Sequence, residues 1–196
     1  MCFGHLGALI IKENLNSGDG LLEIMVPGRR HNVIFCVARF QHYVQVTDIL
    51  QEESIQFLNH VVHILHKCAF KWDGWANKSE GERFVLTWML PDIDDSENEK
   101  NEQLLEERTE IADKSLIAIV KIICEIRRSQ VLPNYYGRLE FIQKFGKGSR
   151  PTMNFALHQG YTIEGAIGSD VKTDASYMSP HLQATYRLEK MCSHYD

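Results

Sequence analysis

The sequence predicts an α+β fold in which helices cover a sheet. Two patterns carry this prediction: runs of β-branched and aromatic residues that suit strands, and apolar residues that recur every three or four positions, as on a helix. With 196 residues, the chain has the length of one domain. In chain order the predicted elements are β-α-β-β-α-β-β-α, which is typical of a ferredoxin-like, split-βαβ sheet covered by helices.

Five segments have the composition of strands. They are residues 32–38, 74–78, 83–90, 153–157 and 162–167. The first reads NVIFCVA, a continuous apolar run that predicts a strand buried on both faces. The last two are predicted to be joined by a tight turn, because Gln159-Gly160 between them is a turn signal.

Three segments predict helices, and they are residues 55–69, 111–128 and 182–191. In the first, apolar residues at positions 55, 58, 62, 65 and 69, with a second row at 57, 61, 64 and 68, predict one broad buried side. The second ends in Arg127 and Arg128, whose charges suit the negative end of a helix dipole. Residues 130–150 are rich in turn-forming residues and receive no assignment.

The chain divides into a leader, residues 1–30, and a domain, residues 31–196. The turn signal Pro27-Gly28-Arg29-Arg30 closes the leader. Ten acidic and two basic side chains lie between Asp92 and Asp113, whereas the net charge of the whole chain is only −5. We therefore expect residues 92–110 to form an acidic loop inserted into a mildly basic body.

The composition argues against several classes of protein. Lys and Arg are not concentrated in one segment, which argues against nucleic-acid binding but leaves room for a small anionic ligand such as a nucleotide. The five cysteines are scattered and never spaced CxxC, which favours a reducing, cytoplasmic location over a disulfide framework or a structural zinc site. The apolar runs are short or interrupted by charges, so we expect no membrane span in this chain. The chain could still be part of a larger membrane-attached protein.

Three segments carry motifs with chemical content. They are residues 35–42, FCVARFQH; residues 77–84, NKSEGERF; and residues 158–189, HQGYTIEGAIGSDVKTDASYMSPHLQATYRLE. They resemble three patterns of class III nucleotidyl (adenylate/guanylate) cyclase catalytic domains: F-C-D-I-R-x-F-T, N-K-x-x-G-D-x-F, and G-x-x-x-x-G-x-I-G-S followed after about a dozen residues by N-x-A-x-R-L-E. The resemblance extends from about residue 10 to residue 189.

The resemblance implies a reaction, cofactors and an assembly. Class III cyclases convert ATP or GTP into a cyclic nucleotide and pyrophosphate, a step of intracellular cyclic nucleotide signalling. Their two divalent ions, Mg²⁺ or Mn²⁺, are held by two aspartates, since such ions prefer hard oxygen ligands. Their site lies at a dimer interface. The resemblance therefore implies a purine nucleoside triphosphate as ligand and a second cyclase domain, identical or different, as partner.

Both aspartate positions are changed in this chain. Val37 stands at the first, and an aliphatic side chain has no lone pair for a metal; on its own it is typical of a buried strand. Glu82 stands at the second and keeps a carboxylate, but one displaced by about 1 Å, a shift that can lower a rate about a hundredfold. We expect the first metal position to be lost and Glu82 to be a weak metal ligand.

By the resemblance, two residues would bind the purine base. Lys78 matches the lysine that reads the base, and Ser176 falls where these enzymes discriminate adenine from guanine. A serine hydroxyl can both donate and accept a hydrogen bond, so the preferred base stays open. Lys78 and Glu82 at a hairpin are also compatible with a solvated surface pair.

Two residues of the last helix would act on the ribose and the phosphates. Gln183 stands where the family has an asparagine that orients the ribose, and Arg187 matches the arginine that stabilises the transition state. Their spacing of four places them on one helix face. An alternative for Arg187 is a surface ion pair with Glu189 or Asp174.

Three histidines, His60, His63 and His66, are spaced by three and could suggest a metal. They lie on or beside the polar stripe of the predicted helix 55–69. No other ligand type completes a metal site, so we interpret them as a solvated face.

Three functions stay open. The family continues into further strands, one with a lysine for the triphosphate, whereas this sequence ends at Asp196, so we expect either a fragment or a domain that is degenerate and truncated. The chain could be a cyclase-like subunit, inactive or very weak alone, that completes a site in a heterodimer. It could be a non-catalytic dimerisation or scaffolding module. It could also be an active enzyme whose metal binding rests on Glu82.

Overall fold

The computed structural model describes residues 27–93, 98–150, 152–168, 173–192 and 194. Strands β1 to β5 are Arg29–Phe40, Trp75–Glu80, Arg83–Leu90, Met153–Gly168 and Thr173–Met178. Helices α1 to α6 are Tyr43–Leu50, Ser54–Lys71, Asn98–Arg128, Pro133–Tyr136, Leu139–Phe145 and Pro180–Cys192, and a 3₁₀ turn, Gln51–Glu53, links the first two. Residues 1–26 of the predicted leader lie outside the described residues, and Arg29 and Arg30 already belong to β1.

One five-stranded sheet, in the order β2-β3-β1-β4-β5, forms the centre of the molecule. All neighbouring strands are antiparallel, and β1 is hydrogen-bonded to β3 on one side and to β4 on the other. Strands β1 and β2 therefore run parallel with β3 between them, which is the split-βαβ arrangement. The predicted α+β, ferredoxin-like sheet covered by helices is confirmed.

The central strand β1 is buried on both faces, as its continuous apolar sequence predicts. Its residues at positions 34, 36 and 38 belong to a large core shared with α2 and α3. Its residues at positions 33, 35 and 37 belong to a smaller core that includes Val85 of β3 and Leu182 of α6. The sheet thus separates two layers, with α2 and α3 on one side and α6 on the other.

Helix α6 begins at a capping serine. Ser179 Oγ accepts hydrogen bonds from the backbone N–H groups of His181 (3.0 Å) and Leu182 (3.2 Å), and Pro180 takes the first helical position. The same hydroxyl donates to the Tyr161 carbonyl oxygen of β4 at 2.5 Å. The start of α6 is therefore fixed to the sheet.

The short helices α4 and α5 lie in residues 130–150, which the sequence left without assignment. Aromatic rings fasten them to the body: Phe57 of α2 lies edge-on to Tyr135 and Tyr136, with ring centroids 5.3 and 5.9 Å away. Phe141 of α5 contacts Tyr136 in the same way, at 5.9 Å. Helix α4 has only four residues, too few for a helical period to be visible in the sequence.

The predicted acidic loop at residues 92–110 is wrong, because most of that stretch is helical. Helix α3 begins at Asn98 and runs for 31 residues. Glu, Gln and Leu, which dominate its first turns, are strong helix formers, and Glu110 and Lys114 form an i,i+4 ion pair of 2.9 Å. Within the described ranges, no helix is both long enough and apolar enough to cross a membrane.

Strand β4 is one continuous strand of 16 residues, so the predicted turn at Gln159-Gly160 is wrong. Gly160 lies opposite Val33 in the sheet, and a Cβ built on it would lie 2.0 Å from the His181 ring. Gly160 therefore allows α6 to pack closely on the sheet. Close packing, and not only a turn, can require a glycine inside a strand. The hairpin partner of β4 is β5, in a stretch that the sequence left unassigned.

Replacing Gly160 with alanine should lower the free energy of unfolding by about 1–3 kcal/mol, because α6 or the sheet must move to admit the methyl group. Urea unfolding followed by circular dichroism measures the change. In a His181→Ala background the new methyl group meets no ring, so the same substitution should be less destabilising there. Equal losses in both backgrounds would show that the His181 ring is not the obstacle.

Candidate functional site

A groove lies between α6 and the β2–β3 hairpin, on the sheet face opposite α2 and α3. Its volume is about 170 Å³. It is lined by Asn77, Lys78, Glu80, Val85, Ser176, Tyr177, Leu182, Gln183 and Tyr186. Three residues singled out in the sequence, Lys78, Ser176 and Gln183, therefore meet in one place, although they come from β2, β5 and α6.

Lys78 lies in the groove wall beside an exposed carboxylate. Its Nζ lies 2.5 Å from Glu80 Oε1, and both side chains are nearly half exposed, 47% and 46%. The surface pair considered from the sequence thus exists, with Glu80 rather than Glu82 as the partner. An exposed pair of this kind contributes at most about 1 kcal/mol, so the ammonium group can turn to a ligand at little cost. Burial, with the Glu80 carboxylate, raises the pKa of the neighbouring Tyr186.

Tyr177 and Glu164 bring a buried polar pair beside the groove that the sequence reasoning missed. Tyr177 Oη donates to Glu164 Oε1 at 3.2 Å, and Glu164 Oε2 lies 3.4 Å from His31 Nε2. Burial, followed by the Glu164 carboxylate, raises the pKa of Tyr177 well above its usual range, so its hydroxyl stays protonated and can donate. A glutamate within the strand segment TIEGAI was the signal available in the sequence.

Val37, at the first metal position that the resemblance implies, is entirely buried. Its exposed fraction is 0%, and it belongs to the smaller core with Phe35, Val85 and Leu182. Mg²⁺ binds through hard oxygen ligands and usually keeps several waters. The buried apolar surroundings of Val37 offer neither oxygen ligands nor water.

Glu82, at the second metal position, is engaged with arginines. Its Oε1 lies 3.5 Å from Arg83 Nη2 and 3.9 Å from Arg39 Nη1. The cations nearest this carboxylate are therefore guanidinium groups, which keep their charge at any ordinary pH. In the part of the chain that the structure describes, no three His, Cys, Asp or Glu side chains converge as a metal site requires. These residues do not fit a Mg²⁺ or Mn²⁺ ion.

A buried carboxylate of α6 pairs with the same two arginines. Glu189 is 0% exposed, with its Oε1 2.8 Å from Arg39 Nε and its Oε2 3.6 Å from Arg83 Nε. Neither contact has the geometry of a hydrogen bond, so both are ion pairs. A buried charge is tolerated only when it is paired, so they hold the second half of α6 to β1 and β3. Together, Arg39, Glu82, Arg83 and Glu189 are termed the arginine–glutamate cluster.

Arg187 lies exposed on α6, one helical turn after Gln183, outside the groove wall. The ion pair with Glu189 considered from the sequence is wrong, because Glu189 pairs with Arg39 and Arg83 instead. The other candidate partner, Asp174, has its side chain outside the described residues. The structure therefore brings Arg187 near the groove and leaves Glu82 apart from it, in the arginine–glutamate cluster.

The three histidines of α2 have different surroundings. His60 and His63 are exposed, and His66 is half-buried. Burial, followed by the charge of His63, lowers the pKa of His66, so this ring is neutral at pH 7.

Comparison with solved structures relates this fold to known proteins. A bacterial light-regulated adenylyl cyclase aligns with a TM-score of 0.64 and 15% identity, over 95% of this chain and 50% of its own. The guanylyl cyclase Cya2 aligns with a TM-score of 0.62 and 16% identity, over 84% of this chain and 72% of its own. The guanylate cyclase domain of RhGC from Catenaria anguillulae, in complex with GTP, aligns with a TM-score of 0.60 and 12% identity, over 83% of this chain and 74% of its own.

These likenesses establish the fold. The chain has the fold of adenylyl and guanylyl cyclase catalytic domains, as the three sequence motifs predicted. It spans about half the length of the light-regulated adenylyl cyclase. No protein-family model and no curated protein sequence matches the chain.

Replacing Glu189 with glutamine should lower the free energy of unfolding by about 2–3 kcal/mol, because two arginines lose their buried counter-charge. This loss is small for the breaking of a buried ion pair, because the Arg39 and Arg83 side chains are 22% and 27% exposed and can turn to water. Urea unfolding measures it. The matched control Glu80→Gln breaks only an exposed pair and should lower the free energy of unfolding by less than about 1 kcal/mol. Equal effects of the two substitutions would contradict the assigned role of Glu189.

Proposed function

We propose that this chain is a cyclase-like subunit that supplies the base- and ribose-binding side of a shared nucleotide site and lacks the metal side. The proposal rests on one contrast. Lys78, Ser176 and Gln183 meet in an open groove, whereas Val37, at the first metal position, is sealed in an apolar contact. By resemblance, the ligand is ATP or GTP and the family reaction is its cyclisation, within cytoplasmic cyclic nucleotide signalling.

The groove offers groups suited to a purine nucleoside. The Lys78 ammonium group donates, whereas the Ser176 hydroxyl and the Gln183 amide each donate and accept, which suits the mixed edge of a purine and the ribose hydroxyls. Val85 and Leu182 supply apolar surface for the ring. A few convergent polar groups on an apolar wall are typical of ligand sites.

The groove is too small to hold a nucleoside triphosphate alone. Its volume of about 170 Å³ lies below the ~300–1,000 Å³ of ordinary small-molecule sites. The triphosphate would therefore project beyond the groove, and its charge would need groups from elsewhere. A second cyclase domain placed over the groove would supply them, which supports a dimer as the working form.

Arg187 is proposed to act on the projecting phosphates. It is exposed one turn after Gln183, on the helix that forms one wall of the groove. A guanidinium group donates two parallel hydrogen bonds to phosphate oxygens, and its fixed charge stabilises negative charge that develops there. We therefore assign Arg187 to the transition state and Gln183 to the ribose.

The homodimer is proposed to be inactive or very weak. Removing one electrostatic stabiliser from an active site commonly costs about 10² to 10³ in rate, and Val37 removes a shared ligand of both metals. Glu82 does not compensate, because Arg39 and Arg83 lie beside its carboxylate. Activity would then require an intact partner that carries the metals, in a heterodimer.

A non-catalytic dimerisation or scaffolding module is the second candidate. The observation that favours it is that charged groups around the site already have partners in the chain. Lys78 pairs with Glu80, and the arginine–glutamate cluster is internally paired. Such a surface requires no ligand for charge balance, so nucleotide binding decides between the two candidates.

The wild-type chain should bind fluorescent derivatives of ATP or GTP labelled at the γ-phosphate with affinities that differ by less than about threefold between Mg²⁺ and EDTA, because no protein ligand meets the metal. Lys78→Ala and Gln183→Ala should each weaken binding about tenfold, since each removes a direct polar contact. The exposed Lys147→Ala serves as the matched control. Absence of binding would favour the scaffolding module, and binding that requires Mg²⁺ would contradict the loss of the metal side.

The double variant Val37→Asp/Glu82→Asp should gain Mn²⁺-dependent production of cyclic nucleotide, whereas the wild-type chain should produce none above background. The restored carboxylates supply the missing oxygen ligands, and Arg187→Ala in this background should abolish the gain. Circular dichroism confirms that the variant is folded. A folded double variant that binds nucleotide but yields no product would show that the groove and Arg187 are not arranged for the reaction. Activity of the unpaired wild-type chain would restore the interpretation that Glu82 suffices.

A further inference from the structure

The solvent side of α3 carries a row of apolar side chains. Leu105, Leu116 and Val120 are 53%, 56% and 52% exposed, and Ile123 is 36% exposed. Positions 105, 109, 112, 116, 120 and 123 are spaced by three or four and therefore form one row along the helix. A different row, with Ala118 and Ile122, packs into the large core. A helix that is apolar on two sides is normally covered on both, and exposed patches of this kind mark interfaces.

This row lies away from the candidate nucleotide site. Helix α3 packs on α2, on the sheet face of the large core, whereas the groove lies on the face with α6. Lys114, in the middle of α3, pairs at 2.7 Å with Asp73, just after the end of α2. The first half of α3 therefore extends past α2. The proposed function does not account for the apolar row that runs along the whole helix.

Charge is distributed unequally along α3. Residues 102–113 contain five acidic side chains and one basic side chain, whereas residues 114–128 contain four basic side chains and one acidic side chain. By helical spacing, Glu102 and Arg127 lie at opposite ends of the apolar row itself. Lys114 and Lys121 lie on the α2 side of the helix, where Lys114 pairs with Asp73. Two such helices placed antiparallel would bring Glu102 of each copy near Arg127 of the other, and would set each dipole against its opposite.

We infer that a second copy of this chain covers the row, with the two α3 helices antiparallel across a two-fold axis near Leu116. A two-fold interface must be self-complementary, and a helix that is acidic at one end and basic at the other meets this condition in the antiparallel orientation. Leu116 then lies against its own copy, Ala112 against Val120, and Thr109 against Ile123. A parallel pair would instead set the two acidic halves against each other.

Multi-angle light scattering of the full chain over a series of concentrations tests whether a second copy covers the apolar row. Leu116→Gln/Val120→Gln should weaken self-association at least about tenfold, because two apolar side chains return to water. The matched control Val44→Gln/Ile55→Gln changes residues that are 62% and 67% exposed on α1 and α2, and it should leave the mass unchanged. A monomeric wild-type chain overturns the inference, and so does association that survives the α3 variant or is lost equally in the control.

Charge reversal tests the orientation. Glu102→Lys and Arg127→Glu should each weaken association, and the combined variant should restore it. In a Cys124→Ser background, Leu116→Cys should form a disulfide-linked dimer on oxidation, whereas Leu105→Cys should not, because it lies far from its own copy. The opposite cross-linking pattern, or no recovery in the combined variant, overturns the inference.

The inference is independent of the proposed function. All the substituted residues lie outside the groove, so titration of the same variants with the fluorescent nucleotides should give the wild-type affinity. A cyclase-type dimer across the groove would appear as association that the α3 variants leave intact. Loss of self-association with unchanged nucleotide binding therefore separates the two claims.

Discussion

The close packing of α6 on the centre of the sheet is the interaction on which the rest of the structure depends. Gly160 lets the helix approach, Ser179 fixes its start to β4, and Glu189 holds its second half to the arginines of β1 and β3. One consequence is the groove, whose wall includes Gln183. The other is the burial of Val37 beneath the same helix, in an apolar contact that offers no oxygen ligand to a metal ion.

The two faces of the sheet therefore have different proposed roles. On the α6 face, the two residues at the predicted metal positions contribute to stability: Val37 fills the smaller core, and Glu82 joins the arginine–glutamate cluster. Polar groups in the groove remain available to a nucleotide, which makes the proposed subunit one half of a site. On the other face, α3 offers an apolar row between halves of opposite charge. Association through α3 would leave the groove open to a separate partner.

Much of the fold could be predicted from the sequence, because buried strands and amphipathic helices leave strong local patterns. The segments 32–38 and 55–69 lie within β1 and α2. The acidic stretch is helical rather than a loop because the helix propensity of glutamate and leucine outweighs its charge. The turn assigned at Gly160 was wrong because glycine also serves close packing, and the partner of that contact, His181, is distant in sequence. Lys78, Ser176 and Gln183 could be chosen by resemblance, whereas the pairing of Glu189 with Arg39 depends on tertiary packing that no local pattern encodes.

Direct measurement of Mn²⁺ binding by electron paramagnetic resonance tests the central claim, that the packing of α6 has replaced the metal side of the site. With the wild-type chain alone, the spectrum of free Mn²⁺ should persist throughout the titration, because Val37 offers no donor and Glu82 lies beside two arginines. A wild-type chain that removes the signal of free Mn²⁺ stoichiometrically, together with a Glu82→Gln variant that does not, would contradict the account. Such a result would place a metal ion where the structure has an apolar contact and guanidinium groups.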